Sequence, residues 1–151
     1  MLKHTILFGI GGILYLIIEL LWRGSSHWSM FILGGACFLV VGLINEKNRG
    51  RIPLLLQMLI SAIIITVLEF VTGYIVNIRM GLHVWDYSHM PYNIMGQICL
   101  LYTVLWFLLS YVCIVTDDKL REVLFGEEKQ KTIDITDVKY RNKIEGYSAN
   151  A

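Results

Sequence analysis

The chain has 151 residues, 56% of them hydrophobic and 17% charged. That is too apolar for an ordinary soluble domain and leaves room for one compact unit. The formal charge of +1 says little as a total because the charges are unevenly placed, and no nucleic-acid partner is expected. A multi-span membrane protein fits these values.

At the start of the chain, Lys3, an apolar run and Gly24-Ser25-Ser26 loosely imitate a cleavable leader. Glu19 and the Trp22-Arg23 pair lie just before that point and further apolar runs follow, so the first run is expected to stay. A bilayer core about 30 Å thick takes roughly 20 residues of helix. Four runs meet or approach that length: about 5–22, 28–44, 54–78 and 93–115. The second is short and is expected to place Trp28 at the interface. Backbone groups cannot stay unpaired in hydrocarbon, so the runs should be helices, and none alternates with the period of barrel strands.

After Val115 the composition changes. The expected organisation is a four-span transmembrane domain over 1–115, then a short helix over 116–126 that starts at Thr116-Asp117-Asp118. Residues 127–151 are polar and read as a flexible tail. Lys3, Lys47, Arg49, Arg51, Lys119 and Arg121 flank one end of the runs, against Arg23 and Arg79 at the other. The positive-inside rule then puts both termini, the 116–126 helix and the tail in the cytoplasm, with the protein in the plasma membrane. The fold class is therefore an all-α membrane protein, a four-transmembrane-helix bundle with N-in/C-in topology.

Each run carries a stripe of small or polar residues at helical spacing, such as Gly12, Tyr15, Glu19 and Arg23 in the first and Thr66, Glu69, Gly73 and Asn77 in the third. Such stripes should face inward, the glycines allowing close helix approach. Cys37, Cys99 and Cys113 fall within the runs with no CxxC spacing, so packing thiols are expected, with neither a disulfide nor zinc.

Two polar clusters interrupt the apolar pattern at the expected outer face. One comprises Glu19, Arg23 and His27; the other runs from Glu69 through Arg79, His83, Trp85 and Asp86 to Asn93. An ionisable group within a span is costly and marks a functional hypothesis. Glu19 has Arg23 at i+4 as a ready partner. Glu69 has Gly73 there, so it must be protonated, water-exposed, or paired with a group such as Arg23, Arg79 or His83. Asp86 lies between Trp85 and Tyr87, where it can bind a cation, act as a general base or pair with Arg79. Asn93 and Ser88 suit helix capping. The His83–His89 spacing is no zinc signature, so no metal and no cofactor are expected. No phosphate-binding glycine loop is present either, so ATP hydrolysis by this chain is not expected.

Glu19-Leu20-Leu21-Trp22-Arg23-Gly24, His27-Trp28-Ser29-Met30 with Gly34-Gly35, and Trp85-Asp86-Tyr87-Ser88 with Pro91, Asn93, Gly96 and Gln97 carry a family resemblance. From about Ile13 to Gly126 the chain resembles the ABC-transporter type IV membrane family, the CmpB-type proteins. The resemblance implies a bacterial integral membrane protein that is a permease-like component, and it brings no assigned site residues. The expected function is a small transporter or permease-like subunit with an acidic, aromatic pocket in the outer half of the bundle. Its partners would be the bilayer and either a second copy of the chain or a separate ATPase. A membrane-embedded enzyme acting on lipid or envelope substrates and a non-catalytic accessory protein stand as the alternatives.

Overall fold

The computed structural model describes residues 2–48 and 52–127. Arg49, Arg51 and the tail from residue 128 onward, on which part of the expected topology rests, lie outside the described residues. Four helices dominate: α1 (Leu2–Arg23), α2 (Trp28–Asn48), α3 (Leu54–Gly73) and α4 (Leu100–Phe125). A π-helical segment, Tyr74–Arg79, extends α3, and a short antiparallel hairpin of β1 (Asn93–Ile94) and β2 (Ile98–Cys99) precedes α4. Counting the π-helical extension, the apolar helices run from 20 to 26 residues. At the α-helical rise, 20 residues already span about 30 Å, the thickness of a bilayer core. The described residues thus hold four helices long and apolar enough to cross a membrane.

The side chains are arranged as a bilayer solvent demands. Leu2, Ile13, Leu21, Val67, Leu108 and Val112 point outward, whereas Glu19, Ser61, Glu69, Asn77, Ser110 and Asp117 are buried. Polar groups avoid hydrocarbon by turning to one another, and lipid solvates the apolar exterior. One apolar core cluster joins Val41, Met58, Ile65 and Ile114, and another joins Met30, Leu33 and Trp85.

Helix α1 packs chiefly on α2, α3 on α4, and α2 contacts all three of the others. Glycines set the α1–α2 distance: a Cβ on Gly12 would lie 2.7 Å from the Phe31 carbonyl oxygen, and one on Gly35 would lie 2.7 Å from that of Phe8. The α1–α4 pair makes little close contact. Lys3 bonds both Glu46 and Glu127, so the start of α1, the end of α2 and the end of α4 meet at one end of the bundle. We call this the termini end, and the opposite end, which holds residues 24–27 and 80–92, the loop end.

The fourth helix differs from the expected 93–115 run at both of its bounds. It begins at Leu100 because Tyr92, Met95 and Gly96 hold left-handed φ values of 55°, 54° and 69°, which no α-helix contains. It then continues through 116–125, expected to be a separate helix, because Asp117 pairs with Arg121 one turn on instead of capping a new start. Gly126, at φ 64°, ends it in a left-handed cap.

Candidate functional site

The loop end is closed by a folded cap built from residues 77–99. Asn77, within the π-helical segment, donates to Gln97 Oε1 at 2.8 Å and accepts the Val84 N–H at 2.7 Å. Trp85 is buried and donates its indole N–H to the Gln97 carbonyl at 2.9 Å. Gly73 admits both groups: a Cβ there would come within 2.5 Å of Gln97 Oε1 and 2.9 Å of the Trp85 ring. The π geometry is of the kind that recurs at functional sites.

Beneath this cap lies Glu69, 3% exposed. Its Oε2 accepts the Trp106 indole N–H at 2.7 Å and its Oε1 the Tyr87 hydroxyl at 3.2 Å. None of the expected cations reaches it: among the described residues Glu69 forms no ion pair, and its two donors are neutral. Burial and the adjacent Glu69 carboxylate push the Tyr87 phenol far above its usual range, so it remains a proton donor. The Tyr87 ring also stacks on Tyr102, with centroids 4.5 Å apart.

A half-open cavity of about 480 Å³ lies beside this group, lined by Glu19, Arg23, Trp85, Tyr87, Tyr102 and Trp106 among others. That volume lies within the ~300–1,000 Å³ of small-molecule sites. A smaller, largely apolar cavity of about 120 Å³ adjoins it, with Glu69, Cys37 and Cys113 in its wall. Tyr15, Ile18, Trp106 and Leu109 border both cavities. The Tyr15 and Trp106 rings pack against each other there, with centroids 6.1 Å apart.

The remaining expected site residues divide between the cleft and the cap. Glu19 is 6% exposed and holds Arg23 Nη1 at 2.8 Å, as its spacing predicts, and also accepts from the Ser26 hydroxyl. The other Arg23 nitrogen, Nη2, donates to the Val84 carbonyl at 2.5 Å, tying α1 to the cap. Trp85 and Asp86 line the cleft. Asp86 is exposed and accepts from Ser88 N–H at 2.8 Å and Ser88 Oγ at 3.0 Å. The Ser88 bonds hold its carboxyl below the usual range, making it a weaker base than an ordinary aspartate. Asn93 is a turn residue, donating to the Met90 carbonyl and accepting from Gly96 N–H.

His27, Arg79 and His83 stand apart from the cleft. His27 Nδ1 lies 2.8 Å from Ser29 Oγ and accepts the Ser29 N–H at the start of α2. Arg79 rests over the Tyr74 ring, 6.0 Å from its centroid, and His83 is exposed at a left-handed φ of 48°. Among the described residues no cluster of histidine, cysteine and acidic side chains is arranged to hold a metal.

A family model described as "Putative ABC-transporter type IV" matches residues 2–138. The chain belongs to that family. It is accordingly a multi-pass membrane protein of transporter type. No solved structure matches it.

Sequence reasoning missed a second polar centre in this type IV transporter-family chain, at the termini end. Asp117, fully buried, accepts Arg121 Nε at 2.6 Å, and Arg121 Nη1 donates to Glu46 at 2.8 Å. Lys3 reaches Glu46 at 3.1 Å, so the network joins α1, α2 and α4. Asp117 sits against Gly42, where a Cβ would fall 2.5 Å from its Oδ1. The i+4 spacing of Asp117 and Arg121 was the available signal, but it was outweighed by reading Thr116-Asp117-Asp118 as a helix start. Trp106 and Tyr87 were likewise visible as residues but not as partners of Glu69, because those contacts are tertiary.

Proposed function

We propose that the chain is the membrane-spanning, permease-like component of a transport assembly, with Glu69 as its substrate or ion contact. The observation that carries this reading is the Glu69 carboxyl group, held among the described residues by Trp106 and Tyr87, in the wall of a cavity that adjoins an open cleft. Fixed neutral donors orient the carboxyl group without supplying a countercharge, which leaves it free to meet an incoming cation. Glu19 and Arg23 at the cleft mouth neutralise each other, so they shape the entrance without adding net charge there.

We place the protein in the plasma membrane with the termini end in the cytoplasm and the cleft opening outward. Lys3, Lys47 and Lys119 support that orientation. Four helices enclose little volume, and the family name implies energy coupling, so the working unit is an oligomer or a complex with a separate ATPase. Extraction from native membranes in mild detergent followed by native mass measurement tests this. A defined oligomer or a copurifying ATPase subunit is expected, and a lone monomer would contradict it.

A further inference from the structure

We propose that the α1–α4 cleft takes a hydrophobic organic monocation, seated beside the Tyr15 and Trp106 rings with its charge turned toward Glu69. The inference rests on the permease reading and names its substrate class. Three features of the site select that chemistry.

The first is charge. Among the described residues Glu69 has hydrogen-bond donors but no ion-pair partner; of the basic residues lining the cleft, Arg23 is already bound to Glu19 and the Val84 carbonyl, and His89 shares the cleft with Asp86. A cation entering the site meets an acidic group that none of the described cations occupies, whereas an anion finds no free ion-pair partner there. The second is the walls. Tyr15 and Trp106 border both cavities and the Tyr87 hydroxyl meets the Glu69 carboxyl group, and the faces of aromatic rings attract cations, most strongly where water is excluded. A strongly hydrated inorganic ion has no cage of oxygen ligands here, whereas a diffuse organic charge needs none.

The third is the shape of the cavity. The inner chamber is lined largely by apolar side chains such as Leu14, Phe38, Ile65 and Val112, with Glu69 its one acidic residue among the described residues. The sparse contact between α1 and α4 leaves the cleft bordered by Ile18 and Leu109 on its two sides. An apolar body can rest there against side chains of matching polarity, and burying it adds affinity in proportion to its area.

The test is equilibrium binding of radiolabelled tetraphenylphosphonium to the full chain in phosphatidylcholine nanodiscs, with empty nanodiscs subtracted. Tetraphenylborate, nearly the same size and shape but of opposite charge, serves as competitor. Saturable binding of the cation, no displacement by the borate, and at least tenfold weaker binding in a folded Glu69→Gln variant are expected. A Tyr15→Leu variant, which keeps the carboxylate and removes one ring, should weaken binding by a smaller factor. Binding that does not saturate, that the borate displaces equally, or that Glu69→Gln leaves unchanged would overturn the proposal. The wild-type comparison of cation with borate decides the matter even where a variant fails to fold. Failure here leaves the permease reading standing, because that reading is tested by assembly and access and not by this ligand.

Discussion

Trp106 on α4 donates its indole N–H to Glu69 on α3 at 2.7 Å, which makes the candidate site part of the α3–α4 interface itself. Trp106→Phe keeps an aromatic ring and deletes that donor. A hydrogen bond to a charged group is worth about 1.5–3 kcal/mol, and an orphaned buried acceptor forfeits its desolvation as well. The variant should lose stability of about that size, read as a lowered unfolding midpoint in detergent. Tyr87→Phe should lose less, because its bond is longer at 3.2 Å.

The termini-end network makes a sharper prediction. Arg121 is 2% exposed and serves both Asp117 and Glu46. Arg121→Met leaves Asp117 charged and buried, a change that costs about 3–5 kcal/mol where such pairs have been broken. Adding Asp117→Leu should recover much of the loss, since the uncompensated charge goes with it. A double-mutant cycle on unfolding midpoints measures the coupling, and additive single effects would contradict the network.

The outer cap should respond to acid through Asp86. Its carboxyl is held below the ordinary aspartate value of 3.8 by the Ser88 backbone and hydroxyl donors. A depressed folded value means that this contribution is fully present above the unfolded value and is lost as pH falls through the folded one. Corrected for the intrinsic exchange rate, protection of the Ser88 amide should therefore fall below about pH 4. In Asp86→Asn that acid dependence should disappear.

Much of the fold was legible because a membrane leaves so few options: apolar length gave the helices, and polar stripes gave the buried faces of Glu19, Glu69 and Asn77. The i+4 spacing of Glu19 and Arg23 likewise foretold their ion pair. What escaped is tertiary or depends on local backbone sign. Asn93, Pro91 and Gly96 mark a helix start equally well as a hairpin, and only the left-handed residues Tyr92, Met95 and Gly96 decide between them. The partners of Glu69 come from α4 and from the cap, at separations of 37 and 18 residues, where no periodicity reaches. Arg79 and His83, plausible by sequence proximity, are carried away from the cleft by the π-helical segment and the turn after it.

A permease with Glu69 as its contact must carry substrate past Glu69 from one face of the membrane to the other. Leu109 borders both cavities, which makes it the position to probe. With the native cysteines replaced, a Leu109→Cys variant is labelled by a membrane-impermeant thiol reagent in right-side-out and in inverted native vesicles. Labelling from both sides, blocked by prior reaction from either, is the predicted result. Labelling from the loop end alone, in every condition of energisation, would contradict a permease and leave a one-sided binding cleft.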